Sequence, residues 1–132
     1  MPDYNTQFST EIVHLTQVEK IWIKENVDGY AVEDDSNLFD HELDENGGNL
    51  WLYADEYGSP GAVADFLQDF FKKFRPQETK VFGWAETCSR PVLDAFGGGY
   101  VRVTAEGQFW SRIIASSEDL ADAAMKLVAA GG

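Results

Sequence analysis

The densest run of chemically active side chains in this sequence is acidic. Between Glu25 and Glu56 there are eleven Asp and Glu residues and no Lys or Arg. Carboxylates at this density can hold a divalent cation, dock on a basic surface, or simply keep a face solvated. The calcium-loop pattern D-x-[DN]-x-[DN]-G does not occur in the run. The chain has one cysteine and two histidines, His14 and His41, which lie far apart in sequence. No metal site and no cofactor is expected from that donor set. The docking reading points to Asp34, Asp35, Asp40, Glu42, Asp44 and Glu45 as the residues that would meet a basic partner.

Four other groups bear chemistry of their own. Cys88 stands in Glu86-Thr87-Cys88-Ser89-Arg90-Pro91, where Arg90 would favour a thiolate, but no Cys-His signature accompanies it. A small half-buried strand residue is the simpler account of Cys88. Glu86, Asp94 and Glu106 supply carboxylates for acid-base work, without any spacing that pairs them. Gly97-Gly98-Gly99 lacks the Lys-Ser/Thr of a phosphate loop and precedes a strand, so it reads as a tight turn or bulge. The aromatic set Trp51, Tyr53, Trp84, Tyr100, Phe109 and Trp110 resembles a stacking platform, yet only Arg90, Arg102 and Arg112 lie near it in sequence. Packing within and upon a sheet accounts for it more simply. A pocket between the sheet and the 84–100 loop would use Trp84, Glu86, Cys88, Arg90 and Tyr100.

The whole chain repeats the acidic theme. Lys and Arg number 10 against 23 Asp and Glu over 132 residues, a formal charge of −13. Such a chain repels nucleic-acid backbones and anionic membranes and is drawn to basic protein surfaces. A lone thiol rules out an internal disulfide framework. No apolar run is long enough to span a membrane, and the N-terminus has no secretory pattern, so the cytoplasm is the expected compartment.

These side chains need elements to position them. Thr16-Gln17-Val18-Glu19 is a capping box that starts a first helix, with Val18, Ile21, Trp22 and Ile23 as its apolar stripe. The helix pattern fades near Asn26, and Asp28-Gly29 turns into an acidic loop over 30–36. Leu38–Leu43 and Leu50–Ala54 read as a hairpin around Asp44-Glu45-Asn46-Gly47-Gly48, with the return strand apolar on both faces. Ser59 and Pro60 open a second helix in which Val63, Phe66, Leu67, Phe70, Phe71 and Phe74 trace one face. Pro76 ends it. Lys80–Cys88, Tyr100–Thr104 and Phe109–Ile113 follow as strands. Ser116-Ser117-Glu118-Asp119 would cap a third helix carrying Leu120, Ala123, Ala124, Leu127 and Val128. The expectation is one α+β domain over 1–132, with 1–10 as a loose lead-in. It has a mainly antiparallel sheet of four or five strands with three helices packed on it, and a ferredoxin-like relative fits that order.

Three segments look familiar together: Leu50–Gly58, Phe66–Pro76, and Trp84-Ala85-Glu86-Thr87-Cys88-Ser89-Arg90-Pro91 with Phe96-Gly97-Gly98-Gly99 and Val103-Thr104-Ala105. They resemble a family of small acidic proteins carried by bacteria, plasmids and phages. The resemblance covers residues 37–110 and is most specific in the third segment. It implies a bacterial or mobile-element setting and brings no catalytic residue set.

Three functions compete on this sequence. The first is a non-enzymatic interaction domain whose acidic face meets a basic protein, such as a nucleic-acid-handling or defence enzyme, as an inhibitor or nucleic-acid mimic. The second is a small-molecule or peptide-binding domain. The third is an enzyme that uses Cys88 or carboxylates.

Overall fold

The computed structural model describes residues 4–88 and 96–115, with side chains described for 6–86 and 97–111. The elements in order are β1 (Tyr4–Ile12), α1 (Gln17–Ala31), β2 (Val32–Glu33), β3 (Ser36–Asn37), β4 (Asp40–Asp44), β5 (Asn49–Ala54), α2 (Pro60–Phe74), β6 (Thr79–Cys88), β7 (Phe96–Thr104) and β8 (Gln108–Ala115). Six of the strands form one sheet in the order β4-β5-β1-β6-β7-β8, and β2 and β3 form a separate two-stranded hairpin. Every neighbouring pair in the large sheet is antiparallel. The α+β class and the antiparallel sheet agree with the sequence, but the sheet has six strands rather than four or five. Two helices lie among the described residues. The expected third helix over 116–130 falls outside them. No helix among them is long and apolar enough to cross a membrane.

The sixth strand is the one the sequence hid. Residues 4–10 of the lead-in expected over 1–10 belong to β1 (Tyr4–Ile12), which lies between β5 and β6. Phe8, Thr10 and Ile12 point inward and are buried, while Ser9 and Glu11 are exposed on the other face. This period of two is the mark of a half-buried strand.

Helix α1 begins at the capping box. The Glu19 backbone N–H donates to Thr16 Oγ1 at 3.2 Å, and the Thr16 N–H donates to Glu19 Oε1 at 2.8 Å. The helix runs through Asp28-Gly29 to Ala31. Its buried line is Glu19, Ile23, Val27 and Ala31, with a spacing of four. Val18 and Ile21, expected in the apolar stripe, are exposed instead.

Helix α2 matches its sequence pattern closely. Ser59 caps it, accepting from the Ala62 N–H at 3.2 Å, and Pro60 takes the first position. Val63, Phe66, Leu67, Phe70 and Phe71 are fully buried, and Phe74 packs at the rim. Trp22 of α1 sits among Phe66, Phe70 and Phe74 at ring separations of 5.7–6.0 Å. Tyr30 meets Phe66 edge-on at 5.5 Å.

One ionic knot ties these pieces together. Arg75, just after α2, donates to Glu19 Oε2 at 2.9 Å and to the carbonyls of Val13 and His14 at 2.9 and 3.0 Å. Its guanidinium also lies over the Phe70 ring at 5.5 Å. Burial alone would raise the Glu19 pKa. The Arg75 hydrogen bond and charge, with the Thr16 donors, outweigh that and leave it lowered.

Both helices cover the sheet face that carries Phe8, Ile12, Leu50, Leu52, Phe82, Val101 and Val103. The opposite face carries Ser9, Glu11, Trp51, Val81, Gly83, Arg102 and Phe109, all exposed. The return strand β5 is therefore apolar on both faces but covered on only one.

Gly97-Gly98-Gly99 lies inside β7, paired with both β6 and β8, and not in a turn. A Cβ on Gly99 would come within 2.8 Å of the Trp84 ring and 2.1 Å of the Ser111 carbonyl oxygen. Glycine there lets Trp84 lie across the strand opposite it. Gly98 has φ of 150°, where a side chain would be strained.

Candidate functional site

The open face of the sheet gathers three of the six acids expected to meet a partner. Strand β4 is an edge strand, and its pairing with β5 sets Asp40 opposite Tyr53, Glu42 opposite Trp51 and Asp44 opposite Asn49. Leu43 lies opposite the buried Leu50, so His41 and Leu43 face the helices and Asp40, Glu42 and Asp44 face outward. On the far side of β5, Glu11 lies opposite Trp51 and Ser9 opposite Tyr53. One row across the sheet is thus Glu42, Trp51, Glu11, and the next is Asp40, Tyr53, Ser9.

The two aromatics stack at the centre of this face. Their rings stack at 4.0 Å with 22° between planes, and the Trp51 indole N–H donates to Ser9 Oγ at 2.6 Å. Trp51 is 43% exposed. The Tyr53 phenol is held above the ordinary tyrosine range by local desolvation, then by the negative charges of Glu42, Asp40 and Asp55. An aromatic face set among carboxylates attracts a cation twice over, through the ring quadrupole and through net charge.

The remaining expected acids are not part of this face. Asp34 and Asp35 form the turn of the β2–β3 hairpin, with φ of 48° and 65°. That conformation is tolerated by Asp, whose short side chain bonds locally. Glu45 is turned toward α1, where it pairs with Lys24 and its carbonyl accepts from Lys20 Nζ at 2.6 Å. Asp44 also shapes its hairpin, accepting from the backbone N–H groups of Asn46 and Gly47 at 3.1 and 2.9 Å. Asp40 accepts from the Asn37 amide at 2.8 Å.

A groove of about 890 Å³ opens on the same face. Its walls include Glu11, Glu42, Asp44, Trp51, Val81 and Lys80. It lies where the sheet forks. β1 pairs with β6 from Tyr4↔Cys88 to Phe8↔Trp84, and beyond Phe8 it pairs with β5 alone. Ser9–Glu11 and Lys80–Gly83 thus line the groove from opposite sides. Sequence reasoning missed Ser9 and Glu11 because β1 was not recognised; the alternation of Phe8, Thr10 and Ile12 with polar residues was the available signal.

The expected pocket residues divide between the two sides of the sheet. Trp84 and Glu86 line a second cavity of about 480 Å³ beside Ser59 and Pro60 at the start of α2, with Trp110 across it. The Trp84 and Trp110 rings are 5.4 Å apart. Tyr100 lies on the opposite face, in register with Gly83 and Ser111. The backbone of Cys88 belongs to β6, but its side chain, like the whole of Arg90, lies outside the described residues. The aromatic platform divides in the same way. Trp51, Tyr53, Tyr100 and Phe109 share the open face, where Arg102 stacks over Phe109 at 4.7 Å, and Trp84 and Trp110 lie on the helix side.

Of the three named carboxylates, the two that fall among the described residues, Glu86 and Glu106, do not come together. Glu86 lies opposite Gly97 near the start of β7, whereas Glu106 follows its end, about 25–30 Å of strand away. Asp94 lies outside the described residues. His41 bonds Asp28 at 3.1 Å, and His14 offers its carbonyl to Arg75. No group of three metal-ligating side chains occurs among the described residues. Comparison with known proteins gave no matching family model, no matching curated protein and no matching solved structure.

Proposed function

We propose that this chain is a non-enzymatic interaction domain whose open sheet face docks a positively charged protein surface. The observation that carries the reading is the acidic ladder of Asp40, Glu42 and Asp44 along β4, set beside the exposed Trp51, which stacks on the half-buried Tyr53, with Glu11 beyond it. Carboxylates two residues apart on a strand repeat about every 6.7 Å. That is close to twice the ~3.4 Å axial rise per phosphate of one DNA strand. A nucleic-acid enzyme presents basic residues at such intervals, so it is the partner class we favour, with this chain acting as an inhibitor or mimic. The interleaved units β1-α1-β4 and β5-α2-β6 support reading the core as ferredoxin-like, with β7 and β8 added at one edge. One domain acting in the cytoplasm is the setting this reading takes.

The test compares wild type with Asp40→Lys/Glu42→Lys as bait in bacterial lysate, washed at low and high salt. A basic protein held by wild type, released by salt and ignored by the variant, is the expected result. Equal retention by the variant would remove the acidic face from the account.

A second reading draws on the Trp84–Trp110 cavity, which has the size and aromatic lining of a small-ligand site. Native mass spectrometry of the purified chain would reveal a retained molecule if that reading is right.

A further inference from the structure

The fork in the sheet suggests how a basic partner is held, given the docking reading above on which this step rests. Within one sheet, adjacent antiparallel strands normally stay in register to the end of the shorter one. Here β1 and β6 share five register pairs, from Tyr4↔Cys88 to Phe8↔Trp84, and then stop pairing, although each continues as a strand. β1 keeps β5 on its outer side and β6 keeps β7, so both are fixed by their other neighbours. The space between them is the groove of about 890 Å³. Two stretches of strand backbone therefore face each other across an open wedge inside the sheet.

Backbone edges of this kind are templates for a further strand. The wedge also has a polarity. On its outer side stand Glu11, Glu42 and Asp44 with the apolar Trp51 and Val81; on its inner side are the buried Thr10 and Phe82. Among the described residues, Lys80 is the one base lining it. We propose that the wedge receives an extended segment of the partner, inserted between Ser9–Ile12 and Lys80–Gly83. Alternate side chains of a strand point to opposite faces. The segment therefore carries Arg or Lys at every second position, directed to Glu11, Glu42 and the Trp51 face, and small residues between them, directed to Thr10 and Phe82. Main-chain hydrogen bonds hold the segment and the acids select it. An acidic segment is refused by charge, and a second copy of this chain, itself acidic, is refused for the same reason.

The probe is a capped peptide, Arg-Ala-Arg-Val-Arg, with a twin methylated at alternate backbone nitrogens and an acidic control, Glu-Ala-Glu-Val-Glu. Binding is followed by calorimetry and by amide hydrogen exchange of the full chain. The expected result is binding of the first peptide with at least tenfold slower exchange in Ser9–Ile12 and Lys80–Gly83. The methylated twin should lose at least tenfold in affinity, and Glu11→Lys/Glu42→Lys should lose at least as much. If the twin binds equally well and the double variant still fails, insertion is wrong and the charge reading stands. If wild type binds neither basic peptide, both are wrong.

Discussion

Replacing Arg75 by Met should destabilise this protein more than any other single change to a charged residue among those described. Met keeps an apolar stem but removes every donor and the guanidinium that lies over the Phe70 ring. Glu19, only 4% exposed, would lose both of its guanidinium contacts, and the carbonyls of Val13 and His14 would lose theirs. Breaking a buried pair from one side costs about 3–5 kcal/mol, and the Arg75 side chain is 19% exposed, so about 3 kcal/mol is the working figure. With an unfolding entropy of about 2.1 cal/mol/K per residue over 132 residues, that lowers Tm by about 11 °C. The loss should depend on pH in one direction. The folded pKa of Glu19 is lowered, so the stability it contributes is complete above its unfolded pKa of about 4.3 and is lost as pH falls through the folded value. The gap between wild type and variant is therefore full at neutral pH and narrows in acid. Urea denaturation across a pH series, followed by circular dichroism, measures it. Adding Glu19→Met to Arg75→Met should recover about 1–2 kcal/mol by removing the stranded carboxylate. A cost below about 1 kcal/mol, or a gap that does not narrow in acid, would refute the knot as the clasp between the helices.

Other outcomes follow from the same geometry. Gly29→Ala adds a methyl into open space within α1 and should stabilise by about 0.5–1 kcal/mol, whereas Gly99→Ala meets the Ser111 carbonyl and the Trp84 ring and should cost about 1–3 kcal/mol; chemical denaturation separates the two. Phe66→Ala empties the contact point of Trp22, Tyr30, Phe39 and Phe70 and should cost about 3–5 kcal/mol by the same assay. Tyr30, whose hydroxyl donates to Asp69 at 2.5 Å, is pushed up to about 12 by burial and that carboxylate, so Tyr30→Phe should remove absorbance only from the most alkaline part of a spectrophotometric titration. Asp40→Asn/Glu42→Gln should lower the Tyr53 pKa in the same titration, because two of the charges that raise it are gone.

The second helix was fully legible because one face carries nearly all its apolar residues and its ends carry Ser59, Pro60 and Pro76. The first was legible at its cap but not along its length. Its apolar residues spread around the helix, and only tertiary packing selects Ile23, Val27 and Ala31 over Val18 and Ile21. Gly29 stopped the pattern on paper; in the fold a single helical glycine costs only about 1 kcal/mol and the helix passes through it. Strand β1 was lost because Ser, Thr and Gln occupy the outward positions and also mark loops. The acids of the candidate site were legible as a run but not as a surface. Pairing with β5 is what puts Asp40 and Glu42 on one face and leaves Asp34, Asp35 and Glu45 elsewhere.

Under the docking proposal, the acidic ladder on β4 would answer two demands at once. An edge strand exposes unpaired backbone and invites a second copy to pair with it. If two copies of β4 met antiparallel about Glu42, the Glu42 side chains would face each other, and each Asp40 would face the other chain's Asp44. Like charges directly opposite are destabilising, so the edge is closed to itself by its own side chains. The same charges lower the cost of approach for a basic strand or surface. The two roles separate by experiment because they respond oppositely to neutralisation. Asp40→Asn/Glu42→Gln removes the barrier to self-pairing and also the attraction to a cation. A chain that is charged only for solubility would associate more readily after that change and keep any partner it has. A chain whose ladder is a docking surface would lose the partner, and the loss would track salt in the wild type. The position of Trp51 favours the second case, since solubility alone gives no reason to keep an exposed indole, stacked on the half-buried Tyr53, between the acids.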